Sequence, residues 1–75
     1  MENLIEILKE IHPEVDFHKN DKLVDDGIID SFDIVTLISE INQEFDITIP
    51  VEEIIPDNFN SAQSLYAMIK RLQDD

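Results

Sequence analysis

Apolar side chains recur at helical spacing in three separate stretches of this 75-residue chain. The stretches cover residues 2–11, 31–45 and 61–72, and each would bury one stripe of an amphipathic helix. A chain this short can build only one small core, and without cysteine it depends on packing alone. We therefore expect one domain over residues 1–75 with an all-α fold. The expected architecture is a small four-helix bundle, made of three main helices and one short helix with a long first loop.

The long first loop covers residues 14–30, between the first two predicted helices. Gly27 is the only glycine in the chain, and we expect it to adopt a positive φ that turns the loop toward Asp30. A loop of this length in a small domain is usually functional or held by its own side chains. The side chains expected to anchor it are Val15, Phe17, Leu23, Ile28 and Ile29.

The second half of the chain is divided by two prolines. Pro50 is expected to begin a brief helical turn, and Pro56 is expected to end it. The last helix would follow, with Asn60 or Ser61 as its cap.

The chain has 18 acidic residues against 5 lysines and arginines, a formal net charge of −13. Such a surface repels phosphate backbones, which argues against nucleic acid and anionic membranes and favours partners with basic patches. No apolar run is long enough for a signal peptide or a membrane span. We expect a cytoplasmic monomer. Its 43% hydrophobic content in helical registers argues against a disordered acidic tail.

The sequence lacks the usual signatures of enzymes and metal sites. No G-x-S-x-G motif surrounds Ser31, and His12 and His18 fit no known order of triad partners. An EF-hand frame would place Lys22 and Val24 at the first and third ligand positions, which excludes that calcium site. We expect no catalytic activity and no metal site, with both histidines as solvated surface residues.

The run Asp30-Ser31-Phe32-Asp33 opens the second predicted helix. A serine there has two interpretations: an ordinary helix cap, or a modified residue whose anionic substituent is favoured by the helix N-terminus. Phe32 falls on the polar face of the helix, opposite its apolar stripe. That position favours a partner contact at Phe32.

Two blocks of the sequence together resemble a known family. Asp26-Gly27-Ile28-Ile29-Asp30-Ser31-Phe32, followed by Phe45-Asp46-Ile47-Thr48-Ile49-Pro50, is similar to the signature of acyl carrier and peptidyl carrier proteins. Residues 50–61 are longer than the matching stretch of fatty-acid carriers and are closest in spacing to D-alanyl carrier proteins.

The resemblance implies that Ser31 holds 4′-phosphopantetheine, installed from coenzyme A by a phosphopantetheinyl transferase, with Asp30 beside it in the cofactor site. The thiol of that arm would carry an acyl or aminoacyl thioester between an activating enzyme and downstream transferases or synthases. The second helix would dock these enzymes, and Thr36 replaces a glutamate usual in the family. The expected partner contacts are Phe32, Asp33, Thr36 and Glu40.

Two alternatives stay open on the sequence. One is a fatty-acid or polyketide acyl carrier in place of an aminoacyl carrier. The other, from a different class, is a non-catalytic acidic adaptor in which Ser31 is an ordinary cap. We expect a small, polar cargo that stays in solvent, since large side chains of the second helix would fill the interior. These side chains are Ile34, Val35, Ile38 and Ile41.

Overall fold

The computed structural model describes residues 2–74, and all regular structure within them is helical. The elements in chain order are α1 (Glu2–Ile11), α2 (Ser31–Phe45), a 3₁₀ turn (Val51–Glu53), α3 (Pro56–Phe59) and α4 (Ala62–Asp74). Three long helices and one short helix thus form a small bundle, with a long loop between α1 and α2. The predicted fold class is confirmed.

The core lies where α1 packs against α2 and α4, and α3 closes it by packing against α4. The first loop also contributes to the core, because Phe17, Leu23 and Ile29 are buried while Val15 and Ile28 are partly buried. These are the anchors that the sequence predicted. The largest fully buried side chains are Phe17, Phe59, Leu4, Leu8, Leu23, Leu37, Ile41, Leu65, Met68 and Ile69.

The prediction for the second proline is wrong. Pro56 does not end a helical turn; it is the first residue of α3. Its missing N–H belongs to a position that has no intrahelical partner in any case, which is why proline suits the start of a helix. The preceding turn is a 3₁₀ turn that already ends at Glu53.

The α4 helix is capped by Ser61, one of the two predicted candidates. The Ser61 Oγ accepts a hydrogen bond from the Ser64 N–H at 3.0 Å, and the Ser61 carbonyl accepts from the Leu65 N–H at 3.0 Å. Asn60, the other candidate, directs its side chain to the first loop instead.

The inward face of α2 is narrower than predicted. Leu37 and Ile41 are fully buried, and Ile34 and Ile38 are partly buried, but Val35 is 67% exposed. With 3.6 residues per turn, Val35 lies only about 60° around the helix from Phe32, on the outward side. The expectation that Val35 fills the interior is therefore wrong.

Candidate functional site

Ser31 is exposed and is the first residue of α2, and Asp30 caps the helix. The Asp30 Oδ1 accepts a hydrogen bond from the Asp33 N–H at 2.9 Å, and the Asp33 Oδ2 accepts one from the Asp30 N–H at 3.2 Å. This reciprocal capping box satisfies two backbone donors at the helix start. The helix-cap interpretation of Ser31 is therefore wrong, and its hydroxyl is left free of that role.

A histidine from the end of α1 joins the same network. The His12 Nε2 lies 2.7 Å from the Asp33 Oδ2, and the His12 Nδ1 lies 3.2 Å from a Glu14 carboxylate oxygen. The His12 side chain is 25% exposed and the Asp33 side chain 22%. The prediction that His12 is a solvated surface residue is wrong, whereas His18 is exposed.

These contacts change the ionisation of all three groups. The hydrogen bond to Asp33 raises the pKa of His12 above 6.5, although partial burial opposes the shift and Glu14 adds to it. The same bond lowers the pKa of Asp33 below 3.8. The pKa of Glu14 is lowered by its own backbone N–H and then by His12. The His12–Asp33 contact therefore joins the end of α1 to the start of α2 most strongly when His12 is protonated.

The loop that leads to Ser31 is held by Asn60, which lies 35 residues after Asp25 in the sequence. The Asn60 Oδ1 accepts hydrogen bonds from the Val24 N–H at 2.9 Å and the Asp25 N–H at 3.0 Å. The Asn60 carbonyl also accepts from the Leu23 N–H at 2.9 Å. Sequence reasoning missed this role, since a contact between segments so far apart leaves no local pattern.

Gly27 makes the turn that the sequence predicted. Its φ is +72°, and its N–H donates to the Val24 carbonyl at 3.0 Å. A left-handed backbone at this point costs a glycine little. The chain then reaches Asp30 with an extended backbone and enters α2.

The outward face of α2 beside Ser31 is partly apolar. Phe32 is 82% exposed and Val35 is 67% exposed, and Thr36 and Glu40 are exposed as well. Asp33 differs from these residues because its carboxylate already bonds His12 and the Asp30 backbone. The structure therefore places Asp30 and Ser31 at the start of α2 and Phe32, Thr36 and Glu40 along its outward face, whereas Asp33 turns toward His12.

Two open depressions lie elsewhere on the surface. One of about 400 Å³ is lined by Glu2, Asn3, Phe45, Tyr66, Lys70 and Gln73. The other, of about 300 Å³, is lined by Glu2, Ile5, Glu6 and His18. Ser31 lines neither. Across residues 2–74, no cluster of three or more His, Cys, Asp or Glu side chains is placed to hold a metal ion.

Comparison with known proteins decides the family. The family model described as "Phosphopantetheine attachment site" matches residues 2–69. The chain belongs to the phosphopantetheine-binding carrier family. The carrier is 38% identical over 74 residues to the D-alanyl carrier protein of Listeria welshimeri, covering 96% of this chain and 95% of the relative. It is 36% identical to that of Lactobacillus delbrueckii subsp. bulgaricus, covering 96% and 91%.

The cofactor of the carrier follows from its family. It is 4′-phosphopantetheine, covalently attached. The exposed Ser31 hydroxyl fits such a group, because a phosphodiester at the first residue of a helix meets its positive end. No solved structure matches the chain significantly. No helix within residues 2–74 has the length and apolar character needed to cross a membrane.

Proposed function

We propose that Ser31 is the residue that holds the phosphopantetheine arm. The observation that supports this assignment is the division of roles at the start of α2: Asp30 makes the cap, and the exposed Ser31 hydroxyl takes no part in it. A phosphodiester on this oxygen would extend into solvent, while the helix dipole favours its negative charge. Asp30 contributes by fixing the backbone at the residue that is modified.

We further propose that the carrier presents an aminoacyl thioester and has no catalytic activity of its own. Its role would be to raise the effective concentration of the cargo at each enzyme in turn. The relatives named D-alanyl carrier proteins support an aminoacyl cargo. The packed core supports a cargo that stays outside, because Leu37 and Ile41 fill the inward face of α2 and are fully buried.

The proposed partners are a phosphopantetheinyl transferase, an aminoacyl-activating enzyme and downstream transferases with basic docking surfaces. The net charge of −13 supports electrostatic steering toward such surfaces. Phe32, Thr36 and Glu40 on the outward face of α2 would make the contacts. Asp33 would contribute its charge while it remains bonded to His12. We propose that the protein works as a cytoplasmic monomer, with one carrier domain over residues 1–75.

Incubation with coenzyme A and a broad-specificity transferase tests the attachment residue. Intact mass should increase by one phosphopantetheine in the wild type and in Ser39→Ala, but not in Ser31→Ala. Ser39 is the matched control because it is another exposed serine of α2. An arm that is still added to Ser31→Ala would overturn the assignment.

The cargo is tested by loading the holo protein with a small aminoacyl group or with a medium-length acyl chain. We expect chemical-shift changes confined to the surroundings of Ser31 in both cases, because the core leaves no room for a chain. Widespread shifts at Leu37, Ile41 and Leu65 with the acyl chain would show that it enters the core. That result would favour a fatty-acid or polyketide carrier instead.

A further inference from the structure

Asn60 connects the α3–α4 junction to the loop that precedes Ser31. Its side-chain oxygen is shared by two consecutive backbone donors, Val24 N–H and Asp25 N–H, and its carbonyl binds the Leu23 N–H. Three successive loop residues are therefore held by one residue, and Asn60 follows the fully buried Phe59. This placement gives Asn60 a rigid base.

The three bonded loop residues begin a closed turn that ends next to the modified segment. The Leu23 carbonyl accepts from the Ile28 N–H at 2.9 Å and from the Ile29 N–H at 3.0 Å. Leu23 and Ile29 are also buried in the core. Because Ile29 directly precedes the capping Asp30, the position of Leu23 sets the direction from which the chain enters α2.

We propose that Asn60 is a positioning residue for the modification of Ser31, acting through the turn between Leu23 and Ile29. The inference rests on the proposed role of Ser31. Without the Asn60 amide oxygen, Val24 N–H and Asp25 N–H lose their common acceptor, and only the backbone hydrogen bond from the Leu23 N–H still joins the loop to residue 60. The Ser31 hydroxyl would then sample positions that do not suit transfer from coenzyme A, while the outward face of α2 stays intact.

Transferase kinetics on apo protein test this role with three variants. Asn60→Ala removes the acceptor, whereas Asn60→Asp keeps an oxygen in the same place. Asn58→Ala is the matched control, because the Asn58 amide bonds Glu53 in the same segment and not the loop. We expect Asn60→Ala to lower kcat by about tenfold with little change in KM, since misplacement of a reacting group affects the rate steeply. Asn60→Asp should restore most of the rate, because a carboxylate oxygen accepts hydrogen bonds from the same two backbone N–H groups.

Backbone amide exchange provides a second measurement. In the wild type, the Val24 and Asp25 amides should be protected, and Asn60→Ala should release these two while the amides of α4 keep their protection. If Asn60→Ala does not fold, the proposal is tested by the exchange rates of the Val24 and Asp25 amides in the wild type. Protection of these amides supports the proposal, and rates like those of an unstructured peptide overturn it.

The kinetic outcomes separate this inference from the proposed function. A kcat for Asn60→Ala within about twofold of the wild type, or an equal loss in Asn58→Ala, overturns the positioning role while Ser31 remains the attachment residue. A wild type that accepts no arm on Ser31 contradicts the proposed function itself.

Discussion

Replacing His12 with glutamine should destabilise the protein more at mildly acidic pH than at alkaline pH. Glutamine keeps a hydrogen-bonding side chain but removes the charge that pairs with Asp33 at 2.7 Å. His12 lies at the end of α1 and Asp33 in the first turn of α2, so the substitution breaks a tie between two helices.

The direction in which the stability changes with pH follows from the two pKa shifts. The pKa of His12 is raised in the folded state, so its contribution to stability is complete below 6.5 and is lost as the pH rises through the raised value. The pKa of Asp33 is lowered, so its contribution is complete above 3.8 and is lost as the pH falls through the lowered value. The pair therefore stabilises the fold most between pH 3.8 and pH 6.5, the ordinary pKa values of the two groups.

The magnitude can be estimated from the geometry. Hydrogen bonds to charged groups contribute about 1.5–3 kcal/mol, and both side chains here are about a quarter exposed, which lowers the gain to roughly 1–2 kcal/mol. Neutral imidazole at alkaline pH still donates one hydrogen bond, worth about 0.5–1.5 kcal/mol. The pH-dependent part is the difference between these two values, about 0.5 kcal/mol, or roughly 2–4 °C in Tm for a domain of this size.

The assay is thermal and urea denaturation followed by circular dichroism at about pH 5.5 and about pH 8.5, on either side of the histidine titration. His18→Gln is the matched control, since His18 is exposed and undergoes the same substitution. It accounts for the general effect of pH on a chain with net charge −13. A double-mutant cycle with Asp33→Asn isolates the pair from the capping box.

Two results would refute the reasoning. One is an equal loss of stability in His12→Gln at both pH values, which would mean that the charge on His12 does not matter. The other is a cycle in which the effects of His12→Gln and Asp33→Asn simply add, since independent sites do not couple.

Three further predictions concern the loop, the outward face of α2 and the overall charge. Gly27→Ala should destabilise by about 1–2 kcal/mol in urea titration, because φ is +72° although no atom lies within 4 Å of the new Cβ; an unchanged midpoint would contradict this. Phe32→Ala should change stability by less than about 0.5 kcal/mol but weaken transferase binding, and a large fall in Tm would make Phe32 structural. Added salt should raise the Tm of the wild type by screening the repulsion between its acidic side chains. A Tm that does not change with salt would show that this repulsion does not destabilise the fold.

Helical periodicity predicted α1, α2 and α4 because each of them buries a stripe that local sequence can show. It missed α3, which has only four residues and begins at a proline. Proline both ends one element and suits the first position of the next, so Pro56 alone could not distinguish the two. The position of Phe32 on the helical wheel predicts its exposure. Val35 lies on the same side of the helix, so its position around the helix axis also predicts exposure. The expectation that Val35 is buried rests on its hydrophobic character instead, and it is wrong.

In the candidate site, too, the residues that are close together in sequence could be predicted, and the long-range contacts could not. Ser31 and its neighbours form a contiguous motif that can be read directly from the sequence. His12 and Asn60 do not belong to it, since their contacts span 21 residues to Asp33 and 36 residues to Val24. Only the packing of α1, α3 and α4 brings these side chains to the loop and the start of α2.

The two distant ties converge on the segment that contains Ser31. His12 holds Asp33 just after the serine, and Asn60 holds Val24 and Asp25 before it. A peptide of residues 23–45 would keep the whole motif but lose both ties, and an isolated helix of this length is marginal in water. The motif points to Ser31 as the proposed attachment residue, but the bundle fixes where its hydroxyl points. A transferase that requires that geometry would therefore act on the folded carrier and not on the motif alone.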